Sequence, residues 1–371
     1  MNVVFRVDSS TIIGTGHLMR CLTLAEELRY QGAGVSFICR DLPGNISRMI
    51  RDKGYKVYLL PFPVNENGYD VKYNEMDIVH NQKNWLYVNW RTDAEQTLNI
   101  IKKNTKSIEW LIVDHYAIGK QWEKALRPYV KKIMVIDDLA DRAHDCDLLL
   151  DQNYYTNMHD RYSDLVPKHC YTLLGPKYAL LRKEFYEVRK HLKKRNGYVK
   201  RILVFFGGSD PTNDTLKAIE AINLLKNKDI IYDVVVGSSN LYKDEVRRIC
   251  CNMSNVNYYC QIENMAKLME QADLSIGAGG SSTWERCSLG LPALIIAVAS
   301  NQELIAQTID DEGLGFYLGR SKNVKSKKIY NYLKNIISSP NILSDMREKA
   351  LYLVDGKGVQ RVNNTMLVLG E

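Results

Sequence analysis

Short apolar runs alternate with amphipathic stretches through the first half of the chain. Residues 3–7 predict a buried strand, and Leu18, Leu22, Ala25 and Leu28 then share one face of a helix. Further strands are predicted at residues 35–39, 55–60, 110–114 and 133–136. Thr92 and Glu95 have the spacing of a capping box, which predicts the start of the helix before Trp110.

The second half repeats the same alternation without repeating the sequence. Strands are predicted at residues 202–206, 233–236, 256–260, 274–276 and 293–297, with helices between them. Strands that alternate with helices predict a mostly parallel sheet with both faces covered. The fold class is therefore α/β, with two Rossmann-like αβα domains. Ligands of such sheets bind beyond the carboxyl ends of the strands, so we expect the two domains to face a cleft.

The domain boundary is predicted in the charged stretch that follows residue 182. We assign residues 1–185 to a first domain and 186–371 to a second domain, with the last helix packing back on the first domain. Residues 63–91 lack clear periodicity and predict an irregular insertion in the first domain. A lid and a surface excursion are both open interpretations of this insertion.

Composition narrows the class of protein without defining it. The 371 residues suit two domains, and 45% apolar with 25% charged residues is typical of globular proteins. The net charge of +7 is modest, and the densest basic run, residues 190–201, contains a single aromatic, Tyr198. Nucleic-acid binding is therefore disfavoured. Eight scattered cysteines and no apolar run near the ~20 residues of a membrane span indicate a cytoplasmic protein without a stable membrane anchor. We favour a monomer.

A glycine-rich turn and a histidine lie between the first strand and the first helix. Gly14 and Gly16 allow backbone N–H groups to approach an anion at a helix N-terminus. The dinucleotide fingerprint needs a third glycine where this chain has Met19, so a nicotinamide cofactor is rejected, and no other cofactor is expected. His17 would lie in the first helical turn, where the dipole disfavours the imidazolium form. A neutral imidazole suits a general base, although a helix-capping histidine is equally consistent with this position.

Two further glycine-rich turns follow strands of the second half. Gly208 and Ser209 belong to the first, which is a weak signal by itself. The second contains Gly279, Gly280, Ser281 and Ser282 and opens a helix, so its amides and hydroxyls could bind phosphate. Glu285 would lie in the first turn of that helix, where it could accept from ribose hydroxyls or compensate the helix dipole.

Several acidic residues lie at strand ends, where both binding residues and helix caps occur. They are Asp8, Asp114, Asp137, Asp138 and Asp151. Asp145 and Asp147 have the Asp-x-Asp spacing of metal-dependent sugar transferases, but they precede an apolar run rather than follow a strand. The histidines are dispersed without zinc spacing. We therefore predict no metal site.

Taken together, these stretches resemble the UDP-2,4-diacetamido-2,4,6-trideoxy-β-L-altropyranose hydrolase family of pseudaminic acid biosynthesis, which includes spore-coat polysaccharide proteins. The stretches in the first half are residues 6–10, 14–20, 114–116, 136–142, 151–153 and 175–182. Those in the second half are 206–211, 277–285 and 301–302. The resemblance implies the GT-B fold of the lipid-linked N-acetylglucosaminyltransferases. It also implies that the C-terminal domain binds UDP and that the sugar faces the N-terminal domain, which is the sugar side.

The resemblance also implies roles for individual residues. His17 matches the catalytic histidine, and Glu285 and Asn301 match nucleotide-sugar contacts. Substrate contacts are expected at Asp8, Gly14, Gly16, Arg20, Tyr116, Asp138, Arg182, Asn301 and Gln302. UDP contacts are expected at Gly208, Ser209, Gly279, Gly280, Ser281, Ser282 and Glu285.

Residues and resemblance together predict metal-free hydrolysis of a UDP-linked amino sugar. His17 would remove a proton from a water molecule that attacks the anomeric carbon from the face opposite UDP. Two alternatives remain open at this point: a GT-B glycosyltransferase that uses a UDP-amino sugar, and a nucleotide-sugar-binding protein without catalysis.

Overall fold

The computed structural model describes residues 1–63, 82–103, 107–193 and 195–370. The chain divides into two compact units. The first comprises Met1–Asn153, Asn157–Leu180 and Gly358–Glu371, and the second comprises Tyr154–Thr156 and Leu181–Lys357. The division point is thus Leu180, not residue 185, and the C-terminal helix belongs to the first unit.

The first unit is built on a parallel sheet that has seven strands within the described ranges. Their spatial order is β3-β2-β1-β4-β5-β6-β7. The strands are β1 (Asn2–Val7), β2 (Gly34–Arg40), β3 (Lys56–Leu60), β4 (Trp110–Asp114), β5 (Lys132–Ile136), β6 (Leu148–Asp151) and β7 (Tyr171–Leu174). The central strands β1 and β4 are apolar almost throughout because helices cover both faces of the sheet.

The second unit has its own parallel sheet, with six strands in the described part of the chain. The order is β10-β9-β8-β11-β12-β13. The strands are β8 (Arg201–Phe205), β9 (Ile231–Val236), β10 (Val256–Cys260), β11 (Leu274–Ala278), β12 (Ala293–Ala297) and β13 (Phe316–Arg320). In both units the first strand lies in the interior of the sheet, so the glycine-rich turn after it opens at a central position.

Helices connect the strands. They are α1 (Gly16–Tyr30), α2 (Ser47–Asp52), α3 (Trp90–Lys103), α4 (Lys120–Leu126), α5 (Lys183–Arg189), α6 (Asp214–Leu225), α7 (Lys243–Cys251), α8 (Met265–Gln271), α9 (Ser282–Ser288), α10 (Glu303–Asp311), α11 (Ser326–Ile337), α12 (Pro340–Leu353) and α13 (Gly358–Gly370). Short 3₁₀ turns lie at Gln82–Asn84, Arg127–Tyr129, Pro176–Tyr178, Ser300–Gln302 and Ser321–Asn323.

The predicted capping box at Thr92 and Glu95 is wrong, because both residues lie inside α3. The helix begins two residues earlier in the chain than Thr92, at Trp90. The Asn89 side chain instead accepts a hydrogen bond from the backbone N–H of Arg91 at 2.9 Å. An asparagine in front of the helix therefore satisfies one of the amides that the first turn leaves without an intrahelical partner.

Helix α13 completes the apolar layer on one face of the first sheet. Val359, Val362 and Met366 are buried in the same core cluster as Leu18 and Leu22 of α1. The chain thus returns to its first unit at the C-terminus, and α1 is packed against the sheet on one side and α13 on another. This packing fixes the helix whose first turn contains His17.

A buried ionic cluster ties α3 to the central strands. The Arg6 guanidinium donates to both carboxylate oxygens of Asp93, at 3.2 and 2.6 Å, and Arg40 donates to the same carboxylate at 2.6 Å. The indole N–H of Trp122 adds a third donor at 3.0 Å. Breaking a buried pair of this kind costs about 3–5 kcal/mol, because the partner charge stays buried.

Candidate active site

The connection between β1 and α1 is a compact loop. Gly14 has a φ of +78°, and its N–H donates to the carbonyl of Ser10 at 2.9 Å. The Ser10 hydroxyl accepts from the backbone N–H of Ile13 at 2.9 Å. A left-handed backbone at residue 14 costs a glycine little, and the loop delivers Gly16 as the first residue of α1.

His17 is the second residue of α1 and is held by the carboxylate that ends β4. Its Nδ1 lies 2.6 Å from Oδ1 of Asp114. Asp114 is fully buried, whereas about a tenth of the His17 side chain is exposed. A carboxylate can only accept, so Nδ1 carries the proton of a neutral ring, and Nε2 has the free lone pair. Asp114 lies in one of the stretches that carry the family resemblance, residues 114–116, but it is not among the predicted site residues.

Arg20, one turn further along α1, shares the same carboxylate. Its Nε and Nη2 donate to the two oxygens of Asp114 at 2.6 and 2.7 Å. Burial alone would raise the pKa of Asp114, but Arg20 and His17 outweigh it and hold this pKa well below its ordinary value. The carboxylate therefore stays ionised and acts as a fixed acceptor for two residues of one helix.

Asp138 and Tyr116 complete the group of residues around His17. Nη1 of Arg20 donates to Asp138 at 3.1 Å, and the Tyr116 hydroxyl donates to the same carboxylate. Burial, together with Asp138, raises the pKa of Tyr116 well above its ordinary value, so this hydroxyl keeps its proton. The Tyr116 ring meets the imidazole edge-on at a centroid distance of 4.5 Å. Four residues predicted as site residues, His17, Arg20, Tyr116 and Asp138, thus lie together.

Trp85 is a neighbour of His17 that the sequence did not indicate. Its ring centroid is 6.1 Å from the imidazole and 5.4 Å from the ring of Tyr116. Trp85 belongs to the predicted insertion at 63–91, of which residues 64–81 lie outside the described ranges. The described end of that segment packs on the site. The periodicity of apolar and polar residues does not predict the position of such an irregular segment.

Asp8, which is predicted as a substrate contact, lies buried among charged side chains of the first sheet. Its side chain is fully buried, Arg6 donates to it at 2.6 Å, and the backbone N–H of Arg40 donates to it at 2.6 Å. His115 lies 3.3 Å from its second oxygen. Asp8 therefore joins the ionic interior of the sheet, with Arg6 and His115 as its neighbours, and its role as a substrate contact stays a prediction.

The second unit presents glycine-rich turns after β8 and β11. Gly207 has a φ of +93°, and Gly208 lies so close to Gly237 that a Cβ on the latter would be 2.3 Å from the Gly208 carbonyl oxygen. Ser209 follows in the same turn. After β11, Gly279 and Gly280 lead into α9, where Ser281 occupies the N-cap position with an exposed side chain.

Arg286 lies beneath the second of these turns. Its Nη2 donates to the Ala278 carbonyl at 2.8 Å and to the Thr283 hydroxyl at 3.0 Å, and Nη1 donates to the Ser282 hydroxyl at 3.2 Å. Burial lowers the pKa of Arg286 to about 10, which leaves it a cation at neutral pH. A buried positive charge thus supports the turn in which the phosphate contacts were predicted.

Gln302 lies against this turn, next to Asn301 in a 3₁₀ turn. Its Nε2 would be 3.4 Å from a Cβ on Gly280, and its Oε1 accepts from the backbone N–H of Val298 at 3.2 Å. The glycines at 279 and 280 therefore allow the Gln302 side chain to approach the backbone. Two of the expected contact regions, residues 279–282 and 301–302, are brought together.

Arg182 is also found in the second unit, not on the sugar side where it was expected. Its Nη2 donates to Oε1 of Glu285 at 3.1 Å, and its Nη1 is 2.9 Å from Glu184. Glu285 lies on α9, one turn after Ser282. The two residues that the sequence assigned to separate domains are partners in an ion pair.

Asp145 and Asp147 are bound by a cation of the protein itself. Nε of Arg127 donates to Asp145 at 3.0 Å, and Nη1 of the same guanidinium donates to Asp147. Asp147 also accepts from the backbone N–H of Ile133 at 2.7 Å. Among the described residues, no group of three or more His, Cys, Asp and Glu side chains is arranged to hold a metal ion.

Known proteins share the two-domain α/β architecture that the two parallel sheets define. Residues 202–363 match the glycosyltransferase family 28 C-terminal domain. The crystal structure of Acinetobacter baumannii MurG aligns over 99% of both chains, with a TM-score of 0.65 and 15% identity. Arabidopsis thaliana UGT89C1 aligns over 98% of this chain and 99% of its own, with a TM-score of 0.63 and 12% identity. These likenesses establish a two-domain α/β fold of the GT-B type, as predicted.

Sequence relatives define the family more closely. The UDP-2,4-diacetamido-2,4,6-trideoxy-β-L-altropyranose hydrolase of Campylobacter jejuni is 30% identical over 315 residues, which cover 84% of this chain and 97% of the relative. The chain belongs to this hydrolase family, which confirms the predicted resemblance.

Two other relatives are matched over only part of their own length. The uncharacterized protein MJ1062 of Methanocaldococcus jannaschii is 29% identical over 84% of this chain and 58% of its own. The spore coat polysaccharide biosynthesis protein SpsG of Bacillus subtilis is 31% identical over 51% of this chain and 56% of its own. In the ranges that the structure describes, no helix is both long enough and apolar enough to span a membrane.

We predict that Asp147→Asn lowers stability and leaves the rate of the enzyme unchanged. The amide would lose the charge that faces Arg127, and hydrogen bonds to charged groups contribute about 1.5–3 kcal/mol. Urea unfolding measures the stability. Asp145→Asn, which removes a single side-chain contact, should cost less. An Asp147→Asn protein of normal stability without activity would contradict the structural role.

Proposed function

We propose that this protein hydrolyses a UDP-linked 2,4-diacetamido-2,4,6-trideoxy hexose to UDP and the free sugar, as a step of nonulosonic (pseudaminic) acid biosynthesis. The observation that carries the proposal is the contact of 2.6 Å between Nδ1 of His17 and Asp114. A histidine oriented by a buried carboxylate is the arrangement of a general base. The name of the Campylobacter jejuni relative supports the substrate and the reaction.

His17 acts on water through Nε2. Asp114 holds the proton on Nδ1, so the lone pair on Nε2 accepts a proton as water attacks the anomeric carbon. The bond between that carbon and the diphosphate oxygen breaks, and UDP leaves with the electron pair. The attack comes from the face opposite UDP, and a leaving group this good needs no second carboxylic acid.

The second unit binds UDP. The match of residues 202–363 to the glycosyltransferase family 28 C-terminal domain supports this assignment. Backbone amides of residues 279–282 and the nearby Arg286 would stabilise the diphosphate, and Glu285 would accept from the ribose hydroxyls. Gly208 and Ser209 would contact UDP from the turn after β8, and Asn301 and Gln302 would contact the substrate.

A GT-B glycosyltransferase is the second candidate function. The alignment with MurG over 99% of both chains favours it, because the same fold transfers sugars to acceptors. The two functions differ in the fate of the sugar, since a hydrolase uses water and a transferase needs an acceptor hydroxyl. A binding protein without catalysis would leave the UDP-sugar intact.

One experiment separates these possibilities. Purified protein is incubated with a panel of UDP-linked diacetamido sugars without acceptor, and UDP and sugar are followed by NMR. Equal amounts of UDP and free sugar support hydrolysis. Release only after an acceptor is added supports the transferase, and binding by calorimetry without release supports a binding protein.

The first prediction from this proposal concerns the base. His17→Asn should keep the circular dichroism spectrum and the UDP affinity while turnover falls by about 10²–10⁴-fold, the usual contribution of a general base. His169→Asn is the matched control, because His169 lies on the surface with 63% of its side chain exposed. Near-normal turnover of the His17 variant would overturn the assignment.

The second prediction concerns the nucleotide. Glu285→Ala should weaken UDP binding, measured by calorimetry, by about 1–3 kcal/mol if a buried hydrogen bond to ribose is lost. Glu184→Ala also frees a partner of Arg182, so it controls for an effect that acts only through that arginine. Equal losses in both variants, or none in the first, would argue against a ribose contact.

The third prediction is that the reaction needs no metal ion. Asp145 and Asp147 are occupied by Arg127, and the diphosphate charge would be stabilised by amides and Arg286 instead. The rate should therefore be unchanged after exhaustive EDTA treatment. Activity that is abolished by the chelator and restored by magnesium or manganese would exclude this mechanism.

A further inference from the structure

Tyr162 bridges two buried carboxyl groups at the ends of neighbouring strands. Its hydroxyl oxygen lies 3.0 Å from Oδ2 of Asp151, the last residue of β6, and 3.1 Å from Oδ2 of Asp137, the residue after β5. All three side chains are buried, with 2% of Asp151 and none of Asp137 exposed. A hydroxyl has one proton, so it donates to one carboxyl group and can bond to the other only by accepting.

The surroundings decide which group is ionised. Asp137 faces Arg142 at 2.9 Å and accepts from the backbone N–H of Ala140 at 3.0 Å. Burial would raise the pKa of Asp137, but Arg142 and His144 outweigh it and lower this pKa. Asp137 is therefore the ionised acceptor of the Tyr162 hydroxyl proton.

The groups around Asp151 stabilise a negative charge less than those around Asp137 do. The backbone N–H of Asn153 donates to its Oδ1 at 3.0 Å, and Nε of Arg161 lies 3.6 Å from its Oδ2. Burial, followed by the neighbouring charge of Asp138, raises the pKa of Asp151 from 3.8 to about 8.

We propose that Asp151 is a neutral carboxylic acid at neutral pH, and that it donates to Tyr162 and thereby positions Asp138 in the site of His17. We call this chain of hydrogen bonds the relay: Asp151 donates to Tyr162, and Tyr162 donates to Asp137. Asp151 touches no reacting atom and is a positioning residue. Its effect on turnover rests on the proposed function, whereas its protonation state does not.

The relay reaches the site through the end of β5. Asp138 follows Asp137 directly, its carbonyl accepts from Nη2 of Arg161 at 3.1 Å, and its carboxylate accepts from Arg20. An ionised Asp151 would repel Asp137 and Asp138 and attract Arg161 away from the Asp138 carbonyl. The support of Arg20 beside His17 would then weaken.

The charged and titratable groups around the relay set the direction of its pH dependence. They are Asp137, Asp138, Arg161 and Tyr162 around Asp151, with Arg142 and His144 on the far side of Asp137. The folded protein keeps the Asp151 proton up to about pH 8, whereas the unfolded chain loses it near pH 3.8. The folded state therefore binds the extra proton between these values, and this residue lowers stability as the pH rises through that window.

The first test measures stability in the absence of substrate. Asp151→Asn mimics the neutral acid, so the ratio of the folding equilibrium constants, variant over wild type, should rise with pH by about tenfold per unit between pH 5 and 7. Asp164→Asn makes the same chemical change at an exposed position nearby and should leave the ratio flat. A ratio for Asp151→Asn that stays flat or falls with pH would overturn the proposal.

The second test measures turnover against pH. The wild type should lose activity above about pH 8, and Asp151→Asn should match it at pH 7 but lack this alkaline decline. Tyr162→Phe, which breaks the relay, should lower turnover already at pH 7. An alkaline decline that is the same in wild type and Asp151→Asn would refute the positioning role, while absence of any hydrolysis would count against the proposed function alone.

Infrared spectroscopy tests the protonation state in the wild-type protein, even where a variant fails to fold. Protein labelled with ¹³C in the aspartate carboxyl groups should show the band of a protonated carboxyl at pH 6.5. The band should disappear as the pH is raised through about 8. Absence of the band at pH 6.5 would refute a neutral Asp151.

Discussion

The orientation of His17 and Arg20 depends on one buried carboxylate, that of Asp114 at the carboxyl end of β4. It accepts from Arg20 through two donors and from His17 through one. A buried carboxylate without partners in this position would cost several kcal/mol. The buried charge therefore requires the donating side chains of His17 and Arg20 on α1. The same contacts that make the buried charge tolerable therefore fix the imidazole. Helix α13 and the sheet hold α1 in place, which makes the rotation of that helix a consequence of core packing.

Buried acids recur at the strand ends, and their partners distinguish their roles. Asp8 is paired with Arg6, and both side chains are fully buried. Asp114 differs because one of its partners, His17, retains some exposure. A strand-end acid thus contributes to chemistry only when it supports a group that a substrate can reach. This criterion separates Asp114 from Asp8, although both lie at the carboxyl ends of central strands of one parallel sheet.

The sequence pattern predicted most strands well, since β4, β10 and β12 have the predicted bounds and the other predicted strands differ by one or a few residues. The short strands β7 and β13 were missed, and β6 was noted only as an apolar run. Tyr171 is exposed at the start of β7, and β13 contains Gly319 and an irregular register, so neither has a strong strand pattern. The position of His17 at a helix start followed from local sequence. Its contact with Asp114 spans 97 residues, and the packing of Trp85 depends on an irregular segment, so neither could be derived from periodicity.

Arg20 also bears on how His17 could work as a base. The imidazole contacts only Oδ1 of Asp114, so by itself it would leave most of the carboxylate charge unpaired. Here the guanidinium binds both oxygens of Asp114, so much of that charge is already offset. The carboxylate orients the ring through Nδ1. An imidazole that is oriented by a buried acid therefore needs a second donor for that acid, and α1 supplies the histidine and the arginine three residues apart.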